Sequence, residues 1–152
     1  MTAMFSAVWT GTGTARLVFL TRRSEHVTPL LRDLHWLKVP ERVQFRLCVL
    51  AYRCLHGTAP GMDLAETQHL TSSVESRRRL RSSSTSALLV PATQRMTLGD
   101  RAFPSAAARA WNAFPDSVRT SSSCMALRRQ LKTLLFKASF GDDQTWMLTF
   151  VL

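Results

Sequence analysis

Acidic residues are scarce in this chain. Ten Asp and Glu stand against twenty Lys and Arg over 152 residues, so the net charge is +10 at neutral pH and the pI is near 11.2. Cysteine is nearly as sparse. Three cysteines, with no basic n-region leading into an unbroken apolar core, do not make a disulfide framework, and they point to a reducing, intracellular compartment, cytoplasm or nucleus. The N-terminal stretch is interrupted by Thr10-Gly11-Thr12-Gly13-Thr14, so no secretory leader is expected. No run of about eighteen apolar residues exists, so no membrane span is expected. No internal repeat is visible. The surplus of positive charge points to an anionic partner, foremost nucleic acid.

What is present in quantity is helical pattern. An apolar fraction of 45% allows one domain a core of ordinary size. The centre of the chain is the stretch from Leu34 to Gly57. Pro40 suits a first helical turn, where its missing N–H costs nothing, and Glu41 beside it favours the positive end of the helix dipole. Val43, Leu47, Leu50, Ala51 and Cys54 recur at helical spacing as an apolar stripe, which Phe45, Cys48, Val49 and Tyr52 widen. Arg42, Arg46 and Arg53 lie near one line on what remains. Gly57 supplies a left-handed cap and Pro60 prevents continuation. A helix this apolar needs cover on most sides, and the other segments are its cover.

Around it the chain predicts a mainly α fold. Thr14 to Leu20 reads as the end of a helix. Thr28 as N-cap and Pro29 as first residue open a short helix running to Trp36. Met62 to His69 could add helical turns. The Ser-rich segment 71–86 carries Arg77-Arg78-Arg79-Leu80-Arg81 with only Glu75 opposed, which predicts a mobile loop. Ala87 to Pro91 reads as an edge strand, paired with Met96 to Phe103 in a short β-hairpin around residues 87–103. Helix returns from Phe103 to Phe114 and ends at Pro115. A last helix runs from Met125 to Phe140, with Ser121-Ser122-Ser123 offering its N-cap. Its Leu127, Leu131, Leu134 and Leu135 face inward, and Arg128, Arg129, Lys132 and Lys137 cover the other side.

Catalytic and metal patterns lack their context. Phe140-Gly141-Asp142-Asp143 is like the metal-binding turn of nucleic-acid polymerases, where paired carboxylates hold two Mg²⁺ ions. Such a turn needs flanking strands and another aspartate on a neighbouring strand. Here a helix precedes it, and Asp63, Asp100 and Asp116 sit in loops or at helix ends. Cys48, Cys54 and His56 are acceptable zinc ligands, but their spacing fits no compact knuckle, and a helix turns the two thiols to different faces. Cys124 has no local His or acid to activate it, and His26 and His35 read as capping or packing residues. Neither cofactor nor metal is expected. Trp36, Trp111, Phe45 and Phe103 could stack bases, but at helical positions they read as core. The arginine run differs: packing does not explain it, and guanidinium groups make forked contacts with phosphate oxygens.

Several ordered blocks resemble a known family. They are Thr14-Ala15-Arg16-Leu17-Val18, then Arg22-Arg23-Ser24-Glu25-His26-Val27-Thr28-Pro29-Leu30-Leu31, then Leu34-His35-Trp36-Leu37 with Val39-Pro40-Glu41-Arg42-Val43-Gln44-Phe45-Arg46-Leu47. Leu55-His56-Gly57-Thr58-Ala59-Pro60, Gly99-Asp100-Arg101-Ala102-Phe103, Ala106-Ala107-Ala108-Arg109-Ala110-Trp111-Asn112 and the basic helix Leu127 to Phe136 follow in order. Together they resemble the C-terminal segment of non-LTR (LINE-type) retrotransposon reverse transcriptases, beyond the palm and around the thumb. The likeness covers residues 14–140 and leaves 1–13 and 141–152 outside. It departs after the Ala-Pro turn, where Pro60-Gly61-Met62-Asp63-Leu64 replaces a Pro-Tyr-Leu-like continuation.

The resemblance implies that the catalytic aspartates lie in an upstream palm, so no catalytic residue carries over and the chain itself is not an enzyme. It implies a truncated C-terminal remnant whose partners are RNA or DNA and the upstream reverse-transcriptase domain. The candidate contacts are Arg77, Arg78, Arg79 and Arg81 in the loop, with Arg42, Arg46, Arg53, Arg128, Arg129 and Lys132 on helix surfaces. The rival expectation is an inactive structural fragment that packs on that domain or self-associates.

Overall fold

The computed structural model describes residues 13–22, 24–59, 64, 66–73, 86–93 and 99–141. It is mainly helical. After a helical stretch at 13–18 come α1 (Thr28–Asp33), α2 (Val39–Leu55), a 3₁₀ turn (Thr71–Ser73), α3 (Phe103–Asn112), α4 (Asp116–Arg119) and α5 (Cys124–Phe140). Among the described residues there is no strand, and none of their helices is long and apolar enough to cross a membrane. Two compact units share the long helices: one comprises Met1–Val43 with Lys132–Leu152, the other Gln44–Leu131.

The first unit closes over Ala15, Leu31, Leu37 and Leu135, all buried. Its helix ends are hooks. The Trp36 N–H donates to the Leu31 carbonyl at 2.8 Å and the His35 N–H to that of Arg32 at 3.0 Å, with His35 in the left-handed region at φ 52°. This is the hook that a glycine usually makes. It stops α1 at Asp33, short of the Trp36 expected from sequence. The N-cap of α1 is Val27 with no side-chain bond, and Thr28 is the first helical residue rather than the cap. The stretch 13–18 ends in the same way, with Leu20 at φ 52° and the Thr21 N–H donating to the Arg16 carbonyl.

The second unit is built on the lower part of α2. Its buried side is Cys48, Val49, Ala51, Tyr52 and Cys54. Val43, expected in the apolar stripe, is 44% exposed. Val43 lies near the start of α2, and the buried residues of the helix begin only at Cys48. Gly57 makes the predicted cap at φ 65°, with the Thr58 N–H on the Arg53 carbonyl at 2.8 Å.

Leu127, Leu131 and Leu135 of α5 are buried as predicted, and Ser123 caps the helix by accepting from the Ala126 N–H at 3.2 Å. In α3, Ala107 and Ala108 are fully buried and let the backbone approach closely, with Trp111 and Phe114 beside them. α3 stops at Asn112, short of the Phe114 expected, and Pro115 is the N-cap of the four-residue α4, too short for any periodicity, which carries an Arg119–Asp116 ion pair at 3.3 Å.

The expected hairpin around 87–103 is replaced by a different pairing. Leu88 bridges Leu70 in antiparallel sense; the Leu89 N–H donates to the His69 carbonyl at 2.8 Å and the Thr71 N–H to that of Ala87 at 2.9 Å. The other edge of this segment belongs to α3. The Asn112 Oδ1 accepts from the Leu88 N–H and its Nδ2 donates to the Leu88 carbonyl, both at 2.8 Å. The Trp111 Nε1 donates to the Ser86 carbonyl at 2.8 Å. The Asn112 amide thus takes up the second edge of this segment; of the partner strand expected over 96–103, residues 96–98 lie outside the described residues and Phe103 already begins a helix. Of the helical turns expected over 62–69, residue 64 is helical, 66 and 67 form a turn, 68 and 69 carry no regular structure before the bridge, and 62, 63 and 65 lie outside the described residues. The loop expected over 71–86 starts as the 3₁₀ turn and ends at Ser86, and residues 74–85 lie outside the described residues.

The entry to α3 explains the block Gly99-Asp100-Arg101-Ala102-Phe103. A Cβ at 99 would lie 2.6 Å from that of Thr93, so only glycine fits. Asp100 Oδ1 accepts from the Arg109 guanidinium at 2.8 Å and the Thr93 hydroxyl at 2.9 Å. The Arg109 bond first, then that of Thr93, holds the Asp100 carboxyl below its ordinary value. A lowered folded-state pKa means stability present above the ordinary range and lost as pH falls through the depressed value. The gap in melting temperature between wild type and Asp100→Asn is therefore expected to be full at neutral pH and to close on acidification below 3.8. A gap unchanged across that range, measured by scanning fluorimetry, would contradict it.

Candidate nucleic-acid interface

The helix-borne candidates fall into two rows. On α2, Arg42, Arg46 and Arg53 are spaced four and seven residues apart and so share one side. Arg46 is exposed and Arg53 half-buried. Arg42 is half-buried and partly engaged: its Nε donates to the Leu37 carbonyl at 2.7 Å and its guanidinium lies 5.9 Å from the centre of the Trp36 ring. It contributes charge at the upper end of the row while holding the approach to α2. On α5, Arg128 and Lys132 are one turn apart with Arg129 beside them, and all three are exposed. Arg77, Arg78, Arg79 and Arg81 lie outside the described residues, as do Asp142 and Asp143.

The other candidates resolve into packing. Cys48 and Cys54 are buried free thiols, and burial pushes the Cys48 thiol up to about 12 and that of Cys54 in the same direction. Both are protonated at neutral pH, the wrong form for a metal ligand or a nucleophile. No group of three or more His, Cys, Asp or Glu among the described residues could hold a metal ion. His56 is exposed and its ring lies 4.1 Å from that of Tyr52, whose hydroxyl donates to the Ser121 carbonyl at 3.3 Å. Cys124 is half-buried at the start of α5. Trp111 is core, 2% exposed, with its ring 6.4 Å from that of Tyr52; Trp36, Phe45 and Phe103 are half-buried.

One assembly escapes sequence reasoning. The exposed His35 ring lies 5.5 Å from that of Phe136 and within 8° of parallel. Phe136 in turn meets Phe140 at 4.8 Å. The Lys38 ammonium sits 5.0 Å from the Phe140 centroid and donates to the Ser139 carbonyl at 2.8 Å. Lys132, Phe136 and Phe140 follow at intervals of four along α5, a visible signal, but nothing local links them to His35.

Comparison of the chain with protein-family models, with curated proteins and with solved structures found no match. The functional reading therefore rests on the chemistry of the surface itself.

Proposed function

We propose that this chain is a non-catalytic, LINE-type reverse-transcriptase C-terminal segment that grips the backbone of RNA or DNA without regard to sequence. The observation that carries the reading is the exposure of the basic row Arg128, Arg129 and Lys132 on α5 in a chain of net charge +10. Guanidinium and ammonium groups that replace condensed counterions on a polyphosphate gain affinity from counterion release, whatever the base sequence. Arg46 and Arg53 on α2, with Arg42 above them, extend the supply of charge. The ordered blocks resembling the reverse-transcriptase segment support the same reading. In it, chemistry belongs to an upstream polymerase domain, the second partner, and the chain works inside the cell, where template and target nucleic acid are found.

A filter-binding titration against salt tests this. Affinity for a single-stranded RNA is expected to fall steeply as salt rises. The combined substitution Arg128→Ala, Arg129→Ala, Lys132→Ala is expected to make the logarithmic slope shallower by about 2. An affinity indifferent to salt would remove the proposal.

A second reading has its own observation. Leu17, Val18, Phe19 and Leu20 are four consecutive exposed apolar residues, Leu17 at 74% and Leu20 at 91%. Apolar surface of that kind marks a site that docks on another protein surface or on a second copy. Sedimentation decides between the two: a monomer that shifts on adding RNA favours nucleic-acid binding, and oligomers indifferent to RNA favour a structural fragment.

A further inference from the structure

Aromatic side chains normally disappear into the core, as Trp111 does here. The three rings His35, Phe136 and Phe140 do not: His35 is exposed and both phenylalanines are half-buried. They are also ordered. His35 lies parallel to Phe136, Phe136 touches Phe140, and the Lys38 ammonium rests over Phe140. The imidazole lies parallel to Phe136, and the residue remains open to solvent. Lys132, exposed and one turn before Phe136 on α5, places a second ammonium on the same side of the helix.

The backbone adds a second observation. His35 takes the left-handed position of a helix hook, φ 52°, which Gly57 fills at the end of α2 with φ 65°. A side chain at this position carries a conformational cost that glycine avoids. What the chain gains for that cost is an aromatic plane projecting from a rigid turn, fixed also by the Asp33 carbonyl 3.3 Å from the imidazole Nδ1. An exposed flat ring, with the exposed Lys132 on the helix that carries Phe136, suits a nucleobase with its phosphate. Every base has a π-face, and the cations meet the phosphate rather than the base edge.

We infer that His35, stacked on Phe136, is a nucleobase platform that takes an unpaired base of single-stranded RNA or DNA, with Lys132 beside it for the adjoining phosphate. Lys38 is the positioning residue, holding the approach to α2 against Phe140 and Ser139. This inference rests on the backbone-binding reading and adds to it a preference for strands whose bases are free to stack.

The test uses the full chain and fluorescence anisotropy with labelled strands of equal length: oligouridylate, oligothymidylate and an abasic strand of the same phosphate count. Both base-bearing strands are expected to bind about tenfold more tightly than the abasic one. His35→Gly is expected to reduce that ratio to about one while leaving abasic affinity unchanged. Because glycine suits the hook, the variant is expected to melt at or above the wild-type temperature, so a lost preference is not unfolding. His35→Asn, compatible with the same backbone but without a ring, is expected to behave as the glycine variant does. Equal binding of base-bearing and abasic strands by the wild type, or a ratio preserved in either variant, overturns the platform and leaves backbone binding standing. Failure to bind any strand, the abasic one included, overturns both.

Discussion

Trp111→Ala is expected to remove about 3–5 kcal/mol of stability, the cost of deleting a large buried aromatic side chain. The whole stability of a small domain is about 5–15 kcal/mol, so the variant stands near the edge of folding. Two losses combine. The indole is 2% exposed and fills the space between α3 and Tyr52, so its removal leaves a cavity. Its Nε1 also satisfies the Ser86 carbonyl, which loses its donor. Trp111→Phe separates them, since it keeps most of the ring volume and drops the bond; a cost of about 1–2 kcal/mol is expected there. Urea denaturation followed by circular dichroism reads both. An alanine variant within 1 kcal/mol of wild type would mean that the site collapses freely and that Trp111 does not centre this unit.

Asn112→Asp is the second large effect, expected at about 3 kcal/mol or more although the side chain keeps its shape. The amide now answers both polar groups of Leu88, accepting from the N–H and donating to the carbonyl. A carboxylate can only accept, so it sets a charged oxygen against the Leu88 carbonyl oxygen and leaves that carbonyl without a donor. Leu88 is 1% exposed, so water cannot step in. The effect should shrink on acidification, when a protonated carboxyl regains one donor. A variant as stable as wild type at neutral pH would show that the amide does not hold Leu88 by both bonds.

Legibility from sequence follows the range of the interactions. The body of α2, the cap at Gly57, the Ser123 cap and the buried face Leu127, Leu131, Leu135 are set by residues a few positions apart, and the 3.6 period reports them. The bridge between Leu70 and Leu88 is not local. Its partner choice depends on an asparagine in another helix, and no alternation near 87–90 announces that. His35 hides its hook because the usual signal for a left-handed cap is glycine. Val43 misleads because the apolar spacing runs the whole length of α2, whereas burial begins only at Cys48. In the candidate interface, the basic rows on α2 and α5 are visible from spacing alone. The stack of His35 on Phe136 joins opposite ends of the chain and is visible only once the chain is folded.

The bonds that tie residues 69–71 to 87–89 have one more consequence. With the Asn112 amide on the other side, the main-chain polar groups of Leu88 and its neighbours are taken up in both directions, so this segment offers no open edge to a strand of a second molecule.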